Sequence, residues 1–311
     1  MAEAINNRAG HLLGGRWLLE ELLGFGAVGE VYSACETGTG RRVAIKVLRP
    51  RHVESKDVVE RFMREAQAAN LVRHPHVVDL YAVDQDEMGT PFIVQELLEG
   101  ATLAKHLDDL GGRVPIPVVL DIMLAVIDAV GFAHKMGIVH RDIKPDNIFL
   151  AKVKGQIVPK LLDFGISRIM EEPGERLTAG DAALGTPAYM SPEQSRGARN
   201  VDARTDVWAL GVILYELIAG RLPYDVESVR DLAIKIATED PIPIAVVAPS
   251  TPFAIQQVIM CCLSRNREGR YHDGAALARD LRDARDGRFG LSTTGVHLAK
   301  NIQFQKDPIR R

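Results

Sequence analysis

The character of this chain changes once, near Gly100, and that change constrains its fold more than any other feature. From Arg16 to about Glu96, short runs rich in Val, Ile and Leu alternate with glycine: Leu18–Leu23, Val31–Ala34, Arg42–Leu48, Val77–Val83 and Phe92–Glu96. Runs of this length between glycine-rich turns read as strands. One helical segment, roughly Lys56 to Val72, interrupts them. After Gly100, apolar residues recur at helical spacing in Pro117–Met136, Ala203–Ala219, Ser228–Thr238, Pro252–Leu263 and Ala275–Arg285. Val207–Ala219 is apolar almost all round, which marks a helix at the centre of a helical unit. The pattern predicts an α+β fold in two lobes. A small β-rich N-lobe with one helix covers about 16–96, a hinge lies at 95–100, and a larger α-helical C-lobe covers about 101–286. Residues 1–15 read as an N-terminal extension, and 287–311, polar and weakly patterned, as a tail or linker.

Composition narrows the function classes. With 46% apolar and 25% charged residues the chain is ordinary globular material. A net charge of −3 gives no reason to expect a nucleic-acid surface or an anionic membrane. Cys35, Cys261 and Cys262 form no chelating pair and read as reduced thiols. The longest apolar stretches, Pro117–Val130 and Val207–Ala219, are interrupted by Asp121, Asp128 and Glu216. Neither reaches the roughly 20 residues a spanning helix needs. Met1–Gly10 contains no apolar run of the signal-peptide kind, so the chain as given reads as soluble.

The first chemical signal is Leu23-Gly24-Phe25-Gly26-Ala27-Val28-Gly29-Glu30-Val31, with glycines at G-x-G-x-x-G-x-V spacing after a strand. Without Cβ atoms, such a loop can bring backbone N–H groups against phosphate oxygens. A dinucleotide fold uses the same spacing but needs a helix directly after it, whereas Glu30–Ala34 continues as a strand. Val43-Ala44-Ile45-Lys46 ends an apolar strand 17 residues after the last glycine. An ammonium there needs anionic partners, because burying it unpaired is costly. Glu65 on the helical run, together with phosphates, would supply them.

The second signal is His140-Arg141-Asp142-Ile143-Lys144-Pro145-Asp146-Asn147, which packs three basic residues and two aspartates into eight positions between an apolar helix and the strand Ile148–Leu150. No core or ordinary turn calls for that charge density. Asp163-Phe164-Gly165 follows 16 residues after Asn147, and Pro192-Glu193 lies beyond.

In this order and at these separations the motifs resemble the eukaryotic-type (Hanks-type) protein kinase family, over roughly Trp17 to Asp286. The wording His140–Ile148 and the ending Asn266–Tyr271 are most similar to bacterial serine/threonine kinases. The resemblance implies a bilobal protein kinase fold and a serine/threonine protein kinase that transfers the γ-phosphate of ATP, with Mg2+, to protein hydroxyls. It implies Asp142 as catalytic base and Lys144 as the balance for γ-phosphate charge. Asn147 and Asp163 become the metal ligands, and Lys46 paired with Glu65 the holder of the α- and β-phosphates. Val31 and Ala44 would line the adenine pocket from above and Phe149 from below, while the backbone of Glu96 and Leu98 would offer hinge hydrogen bonds. Thr186, with Lys144, carries the serine/threonine pattern. Arg141 and Arg168 would receive a phosphate on the loop 163–193, with Thr178 as the acceptor, placed there by the enzyme itself. Glu193 should be buried against Arg270, and Asp206 should tie the central helix to the catalytic loop.

Three positions depart from the commonest pattern: Val28 at the loop tip, Gln95 at the residue before the hinge and Ser191 before Pro192. None removes a catalytic group. The rival reading is a nucleotide-binding pseudokinase scaffold, and the presence of Lys46, Asp142 and Asp163 argues against it. Partners implied are proteins with serine or threonine acceptors and, as an option, a second copy in a homodimer. The implied location is cytoplasmic, either as a soluble enzyme or as the cytoplasmic domain of a longer membrane-anchored kinase.

Overall fold

The computed structural model describes residues 8–25, 29–53, 55, 58–60, 62–63, 66, 70–110, 114–163, 187–197, 201–226 and 228–288. Six antiparallel strands form the first sheet: β1 (Leu12–Leu13), β2 (Trp17–Phe25), β3 (Gly29–Glu36), β4 (Arg42–Leu48), β5 (Leu80–Gln85) and β6 (Pro91–Glu96), in the order β1-β2-β3-β4-β6-β5. The period-two alternation of apolar residues gives this sheet two faces. Tyr32, Ala34, Val43, Ile45 and Val47 join Leu13, Trp17, Leu19, Phe92 and Val94 in one core. On the other, Leu48 and Ile93 pack against Phe62 and Ala66, both themselves helical.

Leu12–Leu13 pairs with Trp17–Leu18, so the sheet begins N-terminal to residue 16. Val77–Asp79, expected as the start of a strand, is irregular. The Val78 N–H donates to the Leu161 carbonyl at 3.0 Å, the Leu161 N–H to the His76 carbonyl at 2.8 Å, and the Glu96 N–H to the Asp79 carbonyl at 2.9 Å. Backbone groups that would extend β5 are thus taken by the segment leading to Asp163.

A second sheet, β7 (Gly100–Thr102), β8 (Ile148–Val153) and β9 (Gln156–Leu161), carries the catalytic segments at its ends. Gly100 has φ +142, and a Cβ there would lie 2.1 Å from the Leu150 carbonyl oxygen. Only glycine lets the chain turn from the hinge into β7 so close to β8.

The C-lobe is helical: α1 (Pro50–Val53) lies in the N-lobe, and α2 (Leu103–Leu110), α3 (Ile116–Lys135), α4 (Pro192–Ser195), α5 (Ala203–Ala219), α6 (Val229–Thr238), α7 (Ile244–Val247), α8 (Phe253–Cys262) and α9 (Gly274–Arg285) follow. Their starts carry local caps: Asp202 accepts from the Arg204 N–H, Ser228 from Asp231 and Asp273 from Ala276. Helix α5 ends at Gly220 in the left-handed region, φ +71. Within α5, Val207, Trp208, Leu210, Val212, Ile213, Leu214, Tyr215 and Leu217 are fully enclosed. Helix α3 has the 20-residue length its periodicity predicted, shifted one residue towards the N-terminus, with a mean hydropathy of 2.2 over its most apolar window. By length and composition it could cross a membrane; here Val119, Met123, Val126, Ile127 and Val130 lie in the core, packed with α5 and α9.

Candidate active site

The site is built outward from one buried carboxylate. Asp206, in the first turn of α5, is 1% exposed. Its Oδ2 accepts the His140 N–H at 2.7 Å and its Oδ1 the Arg141 N–H at 2.7 Å. His134 of α3 completes the set with Nε2 2.9 Å from Oδ2. Because the Gly274 N–H donates to His134 Nδ1 at 3.1 Å, the His134 proton sits on Nε2 and points at Asp206. Burial alone would raise the Asp206 carboxyl, but these hydrogen bonds and the nearby imidazoles hold it below its ordinary value. The central helix is therefore tied to the catalytic loop as the sequence implied. His134 is an addition that its sequence surroundings, an apolar helix, gave no reason to single out.

Two backbone positions beyond Asp206 are held in the left-handed region, Arg141 at φ +69 and Asp163 at φ +46. Non-glycine residues adopt this conformation at a cost, and it is retained where surrounding contacts over-determine it. At Arg141 those contacts are the Asp206 bond and a bond from the Gln194 side chain to the Arg141 carbonyl at 3.0 Å. His140 bridges the two positions. Its Nε2 donates to the Leu162 carbonyl at 2.9 Å, leaving Nδ1 to accept the Asp142 N–H at 3.3 Å.

Asp142, Lys144 and Asn147 converge. Lys144 Nζ is 3.2 Å from Asp142 Oδ2 and 3.5 Å from Oδ1. The Asn147 side-chain amide donates to the Asp142 carbonyl at 2.7 Å and to its Oδ2 at 3.1 Å. A single 3-10 turn, Pro145–Asn147, folds the loop back so that Asn147 can do this. Across the cleft, Lys46 Nζ lies 2.6 Å from Asp163 Oδ2, with side chains 8% and 26% exposed. Lys46 thus meets the aspartate 117 positions away.

The remaining predicted positions that are described lie on β2 to β4, in the linker after β6 and on the second sheet. Val31 stands opposite Lys46 in the β3–β4 ladder, and Ala44, 4% exposed, opposite Ser33. A Cβ on Gly29 would lie 2.6 Å from the Val47 carbonyl oxygen, so this glycine also lets β3 close onto β4. A Cβ on Gly24 would meet nothing within 4 Å, which leaves open space over its backbone. Leu23 is exposed and Phe25 closes β2; Leu98 lies in the linker after β6. Phe149 stands opposite Thr102 and Lys160 in the second sheet. Gly26, Ala27, Val28, Glu65, Arg168, Thr178 and Thr186 lie outside the described residues.

Beyond the loop, Arg270 meets Glu193 with two parallel bonds, NH1 to Oε1 at 2.8 Å and NH2 to Oε2 at 3.0 Å. The Arg270 side chain is fully buried, lies 4.8 Å over the Trp208 ring and also donates to the Ser264 carbonyl. Burial would raise the Glu193 carboxyl, yet Arg270 and Thr205 hold it below its ordinary value.

A family model for the protein kinase domain matches residues 17–280. The chain belongs to the protein kinase domain family. Among curated relatives, it is 34% identical over 300 residues to the probable serine/threonine-protein kinase PknB of Corynebacterium glutamicum, covering 94% of this chain and 45% of that protein. It is 38% identical over 271 residues to the serine/threonine-protein kinase Pkn1 of Myxococcus xanthus, covering 87% and 38%. With PknB of Mycobacterium tuberculosis the identity is 36% over 272 residues, covering 86% and 43%. Among solved structures, the PknI kinase domain of Mycobacterium tuberculosis superposes with a TM-score of 0.69 at 27% identity, covering 89% of this chain and 98% of that one. The chain spans less than half the length of the curated relatives it matches. These relatives are bacterial serine/threonine-protein kinases.

Two further contacts of this kinase domain were not foreseen. Lys160, three residues before Asp163, is buried and donates to Glu96 Oε1 at 2.7 Å and to the Val77 carbonyl at 3.3 Å. Glu96 also accepts the Asp79 N–H at 2.9 Å, so the hinge residue is tied to β9 by its side chain. Tyr189 donates to Glu216 at 2.7 Å. Burial raises the Glu216 carboxyl, with Asp146 and Asp108 adding to the rise and the Tyr189 bond opposing it.

Proposed function

We propose that this kinase domain transfers the γ-phosphoryl group of ATP to serine and threonine hydroxyls of protein substrates, with Asp142 as the base. The observation that carries the reading is the convergence of Asp142, Lys144 and Asn147 on a loop that His140 bonds to Leu162, the residue before the Lys46-paired Asp163. Phosphoryl transfer requires little covalent work from the protein; it requires positioned groups and neutralised charge.

Asp142 is oriented for its task by both neighbours. Lys144 and the Asn147 amide hold the carboxylate, and a substrate hydroxyl gives it a hydrogen bond and then a proton. Lys144 balances charge at the transferred group. Asn147 and Asp163 offer hard oxygens that suit Mg2+, which takes one or two protein oxygens and completes its shell with phosphates and water. The Asn147 amide nitrogen is turned to Asp142, which leaves its carbonyl oxygen as the ligand. Lys46 is the cation for the α- and β-phosphates, with Glu65 as its further partner. Bound ATP with Mg2+ supplies the phosphoryl group. Val31, Ala44 and Phe149 enclose the adenine, and the backbone of Glu96 and Leu98 holds its edge.

Regulation follows the loop 163–193. Phosphate on Thr178, added by the enzyme itself, would pair with Arg141 and Arg168 through bidentate guanidinium contacts. Thr186 would serve the docking of the peptide acceptor. The unit, about 16–286 by its motifs and opened by the strand at Leu12–Leu13, works on the cytoplasmic side, either as a soluble enzyme or as the cytoplasmic domain of a membrane-anchored kinase. The reading is tested by incubating the chain with γ-labelled ATP, Mg2+ and a generic basic protein. Label on serine or threonine supports it; bound nucleotide with no transfer of label overturns it.

A further inference from the structure

The segment before β1 is tied through one tyrosine to β3, the strand that carries Val31. Tyr32 lies on β3 with its ring fully enclosed, and its hydroxyl is the meeting point of two elements. It accepts the Arg8 N–H at 3.2 Å and donates to Glu30 Oε2 at 2.8 Å. Arg8 is held in turn by its guanidinium 3.9 Å from Asp86, both side chains mostly buried, and by the 3.0 Å bond from the His11 N–H to the Arg8 carbonyl. The Gly10 N–H and the His11 carbonyl continue the attachment by bonding Leu19 of β2. Asp86 is itself fixed in the β5–β6 turn by the N–H groups of Met88 and Thr90.

The other end of this chain of bonds lies at the site. Glu30 follows Gly29 and pairs with Val47, and the next rung of the same ladder is Val31 opposite Lys46. Side chains alternate along a strand, so Tyr32 and Glu30 share one face of β3 while Val31 has the other. Holding Glu30 from the outer face therefore sets the height of the Val31–Lys46 rung against β4.

We propose that Tyr32 and Glu30 are positioning residues for nucleotide, and that the Arg8 segment acts on them as a strut. This rests on the nucleotide-site reading given above. The hydroxyl bonds Glu30 only while Tyr32 keeps its place, and the Arg8 amide fills the acceptor side of that hydroxyl. Neither Arg8 nor Tyr32 need touch ATP. Loss of the hydroxyl frees Glu30, and loss of the Arg8 N–H releases the hydroxyl that holds it; either lowers nucleotide affinity by the worth of about one hydrogen bond, about three- to fivefold.

The test uses the full 311-residue chain. Affinity for an ATP analogue is measured by calorimetry, alongside KM for ATP and kcat, for the parent, Tyr32→Phe, Arg8→Ala, Arg8→Pro and the double variant Arg8→Pro/Tyr32→Phe. Proline has no N–H, so Arg8→Pro removes the backbone donor that Arg8→Ala leaves in place. The strut predicts a three- to fivefold weaker Kd and raised KM for Tyr32→Phe and Arg8→Pro, with kcat within twofold. Arg8→Ala should have the smaller effect, and the double variant should be no weaker than either single. Unchanged Kd in both key variants, or strictly additive losses, overturns the proposal. Because Kd is read without turnover, a parent that binds nucleotide but transfers no phosphate overturns the kinase reading and leaves the strut result standing.

Discussion

Lys46 and Asp163, 117 positions apart in the chain, place Nζ and Oδ2 2.6 Å from each other across the cleft between the lobes. Each is the group that the other element most needs to hold. A strand-end ammonium at 6% exposure is stable only beside an anion, and Asp163 reaches it by taking a left-handed backbone conformation. In the proposed reading both ends of the pair take part in the chemistry.

Lys46→Met is expected to lower kcat/KM by at least about a hundredfold, the usual cost of losing one preorganised charge partner at a reacting group. Because the pair is partly solvated at Asp163, the unfolding temperature should fall by only a few degrees. Parallel kinetics and thermal unfolding check this. A large stability loss with kinetics unchanged would assign the pair to structure alone.

Asp206 should matter more to stability than any group that touches substrate. Asp206→Ala strips the acceptor from the His140 and Arg141 N–H groups and from His134, all in a buried site. The expected cost is about 3–5 kcal/mol by urea unfolding, with activity lost as the loop loses its anchor. Asp206→Asn keeps one acceptor oxygen and should recover part of that stability.

The Glu193–Arg270 pair predicts a pH dependence with a definite sign. Glu193 has a folded-state value below its ordinary 4.5, so its contribution is present above 4.5 and is lost as pH falls through the lowered value. Glu216 runs the other way: its raised carboxyl costs stability once charged, and acid relieves that cost. Glu193→Gln should cost about 3 kcal/mol at neutral pH, because it leaves Arg270 buried without its anion. Urea titrations at pH 7 and pH 4 should show the gap to the parent narrowing at the lower pH. An equal gap at both would place the loss in packing and not in charge.

Lys160→Met tests the tie between the hinge and β9. Removing the ammonium takes this donor from the Val77 carbonyl and leaves the Glu96 carboxylate only the Asp79 N–H, at an expected cost of about 1–3 kcal/mol. Lys160→Met/Glu96→Gln should recover part of this, since both charges are then gone. No recovery would show that the lysine stem, not its charge, is what packs there.

Much of this domain was legible in the chain because its signals are local. The strand at Arg42–Leu48 and the helix at Ala203–Ala219 appear with the bounds their periodicity predicted. The charge-dense stretch His140–Asn147 announced a site because no core tolerates it unpaired. The Glu193–Arg270 and Asp206 contacts were legible only through the family resemblance, since nothing in their own neighbourhoods points across 77 or 66 positions. What stayed hidden is long-range and chemically plain. His134 looks like one polar residue on an apolar helix, Lys160 like an exposed strand lysine, and Tyr32 like core. Their partners come from other elements, and no spacing rule connects them. Val77–Asp79 reads as strand by composition, but its backbone groups are claimed by Leu161 and Glu96, a competition that only the folded chain decides.

The central claim is that Asp142 and its neighbours make this domain an active serine/threonine kinase. The most direct test follows the intact mass of the purified chain in Mg-ATP over time, beside Asp142→Asn. The account predicts that the parent alone gains phosphates, mapped to serine or threonine with Thr178 among them. Equal gain in both proteins, or phosphate confined to tyrosine, would contradict it.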